Sequence, residues 1–198
     1  MQNTRRFLAV LLIIVLALGI GFATDAIWNA IDRANHPHDS YREWITKYST
    51  EYNVPEYVIY AVIKVESDFD PRAESSAGAR GLMQMIQPTF QWLSGEEHLK
   101  EDLSFDTLYD PEVSIRYGTY YLCYLYKNFD YNWHLAFAAY NGGEGNVKKW
   151  LQNPEYTDEE GNLTYIPFAE TRSYVSKVEH AAELYQKLYY QPNEGVAS

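Results

Sequence analysis

Glu66 is the residue whose type and setting could do chemistry. Val58, Ile59, Val62, Ile63 and Val65 recur at helical spacing, Pro55 suits a first turn, and Pro71 forbids continuation past Asp70, so a helix is predicted from Pro55 to Ser67. At about 100° per residue, Glu66 falls between the directions of Val62 and Ile63 and close to that of Ile59. Lys64, Tyr60 and Glu56 point elsewhere. A carboxylate on an apolar face has to be paired, neutralised or used, because an unpaired buried charge costs several kcal/mol and takes up a proton instead. Its ordinary pKa of about 4.3 would leave it ionised at neutral pH, but burial against aliphatic groups can raise such a value to about 6, which makes it an acid. The alternative is a structural ion pair or cap.

Residues Ala73 to Gln84 are small, polar and glycine-containing, so the backbone there can approach a ligand closely. Met83 and Gln84 then supply one soft and one hydrogen-bonding contact. Together these features suggest a sugar cleft with an acid at its floor. Cleaving a glycosidic bond needs a proton for the departing oxygen, and hydrolases that activate water typically use a second carboxylate. Asp68 and Asp70 lie just beyond the helix end, where a turn or cap role is the default.

The elements that must position this acid are helical. Ser40 is a plausible cap for a helix to Tyr52 with Tyr41, Trp44, Ile45 and Tyr48 at helical spacing. Pro88 opens a helix to Leu93, and Ser94 to Tyr109 reads as a loop with little regular structure. Pro111 starts a longer helix through Leu125 that would form a central support. Trp133 to Tyr140 is a further helix stopped by Asn141-Gly142-Gly143. Gly145 to Leu151 is a short helix, Gln152 to Pro167 a mobile polar insertion, and Phe168 to Tyr190 the last helix. No stretch reads as a paired sheet, and no internal repeat is found.

With 198 residues and 46% hydrophobic content the chain is large enough for one core without metal or disulfide help. A net charge of −11 argues against nucleic acid as a partner, since such binders usually carry a basic face. The single cysteine, Cys123, lies in an apolar run and reads as a buried free thiol. Neither clustered Cys and His nor a glycine-rich phosphate cradle suggests a metal or cofactor, so none is expected.

At the N-terminus, Arg5 and Arg6 precede an uncharged run from Phe7 to Ala23. Its length suits a spanning helix, which needs about 17–25 residues, better than a signal-peptide core of about 7–15. The charge placement predicts a signal anchor with the rest of the chain outside the cytoplasmic membrane. Small Gly21 and Ala23 leave signal cleavage and secretion as the alternative. The expected layout is a cytoplasmic stub over 1–6, an anchor over 7–23, a spacer over 24–39, one domain over 40–190 and a tail over 191–198.

Four short motifs are in register across that domain. They are Glu66-Ser67, Gly81-Leu82-Met83-Gln84, Ala139-Tyr140-Asn141 followed by Gly142-Gly143, and Glu170-Thr171-Arg172 with Tyr174-Val175. In this order they resemble the soluble lytic transglycosylases, which share the goose-type lysozyme fold, an all-α domain with a substrate cleft. The resemblance implies an enzyme that cuts the bond between N-acetylmuramic acid and N-acetylglucosamine in peptidoglycan strands, with the muramic acid's own 6-hydroxyl closing a 1,6-anhydro ring. It also implies Glu66 as acid and then base. Ser67, Met83, Gln84, Tyr140, Asn141 and Tyr174 become candidate substrate contacts, and Glu170 a buried partner that holds Arg172 or nearby backbone. Departures are small: Ile86-Gln87-Pro88 stands where Met-Pro is common, and Phe90 follows Thr89 where alanine is usual. They lie on the supporting helix and could alter one wall of the expected cleft. A hydrolase of the same bond and a non-catalytic glycan-binding module are the alternatives.

Overall fold

The computed structural model describes Thr24, Ile27, Trp28 and residues 30–190. The predicted anchor and tail lie outside the described residues. The chain divides into two compact units, 1–38 and 39–198. In the first, residues 30–35 are helical and the His36 ring meets the Asp32 carbonyl at 2.9 Å. Among the described residues no helix is long and apolar enough to cross a membrane.

The second unit is all-helical. Helix α1 (Arg42–Tyr52) buries Ile45 and Tyr48 and ends at Asn53, whose left-handed conformation returns its N–H to Ser49. Ser40 does not cap it. The helix begins two residues later, after Tyr41 in a left-handed conformation, with no side-chain cap.

Helix α2 (Glu56–Ser67) is the centre of the core. Every residue from Val58 to Ile63 is buried, so the helix is enclosed on all sides at its middle. Tyr60, predicted to face away from the core, is fully buried and stacks on Tyr185 with ring centroids 5.2 Å apart. The helix stops at Ser67, earlier than Pro71 requires, because Asp68 turns left-handed and donates its N–H to the Lys64 carbonyl.

Helix α3 (Gln87–Leu93) carries Pro88 in its first turn, and its Phe90 and Leu93 join Met85, Leu108 and Tyr117 in a second, smaller apolar cluster. The region predicted as loop contains a 3₁₀ helix, Phe105–Tyr109, fixed by the burial of Leu108. Helix α4 (Pro111–Asn128) starts where Asp110 accepts the N–H groups of Glu112 and Val113 at 2.8 and 3.3 Å.

Helix α5 (Trp133–Gly142) is capped by Asn132, which accepts the Leu135 N–H at 3.2 Å. Gly143, with φ 86°, breaks it from α6 (Glu144–Trp150). The following segment is tied down by its own contacts. Asp158 accepts three hydrogen bonds from Asn162 and Glu160, and Ile166 is buried in the core. Helix α7 (Ala169–Tyr185) buries Tyr174, Val175, Val178 and Tyr185, then loosens into a π turn over Gln186–Tyr190 where a straight helix to Tyr190 is predicted. Only isolated bridge pairs occur among the described residues, including Glu74 with Arg80 and Thr157 with Leu163.

Candidate active site

The last turn of α2 delivers Glu66 to a cavity of about 420 Å³. Ser67, the next residue, fixes that turn: its hydroxyl donates to the Leu82 carbonyl at 2.8 Å and lies 3.2 Å from that of Ile63. Ser67 is half-buried and its hydroxyl is engaged by the loop rather than lining the cavity.

The loop from Ala73 to Met85 forms one wall through Ser75, Ala77, Ala79, Gln84 and Met85. It is a closed, cross-linked turn. Gly81 donates its N–H to Ala73 at 3.0 Å, Arg80 and Met85 exchange backbone hydrogen bonds, and the Gln84 side-chain amide donates to the carbonyls of Ala73 and Gly81, both at 3.0 Å. The Arg80 guanidinium pins it to the 3₁₀ helix by pairing with Glu74 and Asp106 and lying 4.6 Å from the Phe105 ring.

Met83 is fully buried and its side chain does not line the cavity, which corrects the expectation that it touches a sugar. It packs so tightly on Gly118 that a Cβ there would lie 2.4 Å from its sulfur. Its backbone matters instead, since its N–H is held by Ser114 at 3.1 Å and its carbonyl by the Tyr140 hydroxyl at 2.7 Å. That second bond joins α5 to the loop and commits the Tyr140 hydroxyl. Tyr140, Asn141, Gly142 and Gly143 all line the cavity. A Cβ on Gly142 would meet the Thr171 side chain at 3.0 Å, so this close approach brings the end of α5 against the start of α7.

From α7, Tyr174 is buried with its hydroxyl beside the Glu66 carboxyl, near enough to favour ionised Glu66 yet short of good hydrogen-bond geometry. Glu170 corrects a second expectation: it is exposed and lines the cavity. At the first turn of α7 it faces solvent because Thr171, one position on, takes the buried side. Arg172 bonds the Ile166 carbonyl at 2.6 Å.

Burial pushes the Glu66 carboxyl up to about 7; Tyr174 opposes this and the Glu170 charge adds to it. The carboxyl keeps some exposed surface because it opens on the cavity, but protein atoms crowd its other sides and their density sets the desolvation. Tyr140 and Tyr174 are held far above the usual phenol range, by burial first and then by the nearby Glu66 charge. Both stay neutral. Asp68 pairs with Lys64, and Asp70 accepts the Arg72 N–H; neither reaches the cavity.

Sequence reasoning missed Met85, Ile86, Thr89 and Tyr121 as lining residues. The motif departures at Ile86 and around Thr89 were the only signal for the first three. Tyr121 sits among buried positions of α4 and only packing reveals it.

An all-helical domain of this kind has the lysozyme-like fold. Residues 43–162 match the transglycosylase SLT domain, and the chain belongs to that family. It is 35% identical over 140 residues to the soluble lytic murein transglycosylase of Escherichia coli K12, covering 70% of this chain and 22% of that protein. It is 33% identical over 142 residues to the membrane-bound lytic murein transglycosylase D of the same strain, covering 71% and 30%. The crystal structure of the 70 kDa soluble lytic transglycosylase from Escherichia coli superposes with a TM-score of 0.73 at 32% identity, covering 81% of this chain and 26% of that one. The chain therefore spans less than a third of the length of each of these relatives.

Proposed function

We propose that residues 40–190 form a peptidoglycan lytic transglycosylase domain that cuts the β-1,4 bond between N-acetylmuramic acid and N-acetylglucosamine. The observation that carries this reading is Glu66, protonated up to about pH 7 at the floor of an open cavity. The names of the relatives support the substrate. Glu66 donates its proton to the glycosidic oxygen as the bond from that oxygen to the muramic acid C1 breaks, and the N-acetyl group helps to stabilise the cation. The 6-hydroxyl oxygen of the same sugar then bonds to C1, and its proton returns to Glu66. No water is consumed. The effective concentration of an intramolecular hydroxyl makes this closure competitive.

In this reading Gln84, Tyr140, Asn141 and Tyr174 contact or shape the substrate, while Ser67 and Met83 act through the loop they hold. Hydrolysis of the same bond is the second reading, favoured by Glu170 in the cavity wall, where a carboxylate could activate water. Mass spectrometry of walls digested in ¹⁸O-labelled water separates the two. Anhydro-muramic ends without label are expected. Labelled reducing ends would establish hydrolysis instead.

We further propose that residues 7–23 anchor the domain on the outer side of the cytoplasmic membrane. The uncharged run after Arg5 and Arg6 supports this, and one relative is itself named membrane-bound. Cells expressing the full chain should retain it in the membrane fraction, resistant to carbonate washing. A soluble extracellular form beginning near Thr24 would establish signal cleavage.

A further inference from the structure

The cavity is not the end of the aromatic surface that leads out of it. Tyr121 and Tyr140 line the cavity with ring centroids 5.4 Å apart, and Tyr121 stacks on Tyr124 at 6.3 Å. Next to these stands Trp92, 41% exposed, with its ring 4.9 Å from Tyr124 and 6.2 Å from Tyr121. His98 closes the other flank, 4.0 Å from the Trp92 ring and 3.2 Å from the Tyr120 hydroxyl. Trp92 also follows Thr89, a cavity-lining residue, by one helical turn of α3.

We propose that Trp92 is an outlying sugar-stacking subsite that holds a glycan strand where it leaves the cavity. This inference rests on the proposed glycan-cleaving function. Isolated exposed aromatics are ordinary, but this one is continuous through two ring contacts with the cavity wall. Three near-perpendicular ring contacts, from Tyr121, Tyr124 and His98, fix the indole's orientation. An indole already held in place loses little rotamer freedom on binding. A β-1,4-linked pyranose presents an apolar face of axial C–H groups, which matches an aromatic surface, while its equatorial hydroxyls stay in water. A strand of several sugars outgrows a cavity of about 420 Å³, so its extension has to lie on the surface beyond. Trp92 supplies such a surface beside the rim.

The test uses the Glu66→Gln chain, so that no probe is cleaved, and measures calorimetric binding of chitotriose and chitohexaose, defined β-1,4-linked N-acetylglucosamine oligomers. The hexamer should bind more tightly than the trimer. Adding Trp92→Ala should weaken the hexamer about five- to tenfold and leave the trimer unchanged, with Trp92→Phe in between. Thermal melting confirms that each variant is folded, and Trp92→Phe carries the test if Trp92→Ala is not. A hexamer advantage that survives loss of the indole overturns the subsite while the glycan function stands, as does equal binding of both oligomers. Failure of the Glu66→Gln chain to bind either oligomer overturns the subsite as a stacking surface for β-1,4-linked N-acetylglucosamine, while the cleavage reading is decided separately by the anhydro-muramic ends.

Discussion

Glu66→Gln is expected to lower peptidoglycan cleavage by at least roughly 10²–10⁴-fold, the loss typical of a missing general acid. The amide keeps the size and polarity of the head but has no acidic proton to give. Stability should move the other way, and with pH. Glu66 titrates near 7 in the folded chain against 4.5 for the unperturbed group, so between these values the folded state holds a proton that the unfolded state has lost. Folding stability contributed by this group is therefore fully present below about pH 4.5 and is lost as pH rises through 7. The total is on the order of 3 kcal/mol for a shift of this size. Glutamine does not titrate, so the variant should match the parent at pH 4 and melt higher at pH 8. Parental cleavage should also fall above pH 7 as the acid ionises. A variant that melts early at every pH yet cleaves at near-parental rate would show that Glu66 is a structural partner and not the acid.

The largest stability loss is expected at Gly81, which supports the wall facing that acid. Its φ is 78°, and a Cβ would lie 2.0 Å from the Leu108 carbonyl oxygen and 2.8 Å from the Ser114 hydroxyl. A backbone oxygen cannot rotate away as a side chain can. Gly81→Ala combines the left-handed penalty of about 1–2 kcal/mol with overpacking of about 1–3 kcal/mol, so a total near 2–5 kcal/mol is expected in urea unfolding. Gly78 is the matched control, because its φ of 76° is almost the same while nothing lies within 4 Å of an added Cβ. Gly78→Ala should lose only the backbone part. Equal losses at both positions would mean that the loop backs away from Leu108 freely, and the rigidity ascribed to the cavity wall would have to be abandoned. The same displacement would disturb the bonds from Ser67 to Leu82 and from Tyr140 to Met83, which hold the acid and the wall in register.

The sequence by itself determined the helices and the place of Glu66 on one of them. Hydrophobic spacing at 3.6 residues, Pro55, Pro88 and Pro111 near helix starts, and glycines after Asn141 are local signals, and local backbone energetics decide them. They locate α2 to within a residue and put Glu66 on its apolar side. The weak points were those where a neighbour in space and not in sequence settles the outcome. Ser40 has the chemistry of a cap, but Tyr41 takes a left-handed turn that moves the helix start past it. Leu108 finds a place in the second cluster, and so a 3₁₀ turn forms in a stretch with no periodic pattern.

The four motifs could be read off the chain, but their meeting could not, because it depends on contacts such as Tyr140 with Met83, 57 positions apart. Tertiary structure alone decided which motif residues face the cavity. Met83 disappears beneath the loop because Gly118 leaves room for it, and Glu170 turns to solvent because Thr171 fills the gap against Gly142. Tyr60 is buried because α7 covers the side of α2 that periodicity left open. A helical period tells which residues share a direction. Only the packed neighbours decide whether that direction is core, cavity or water.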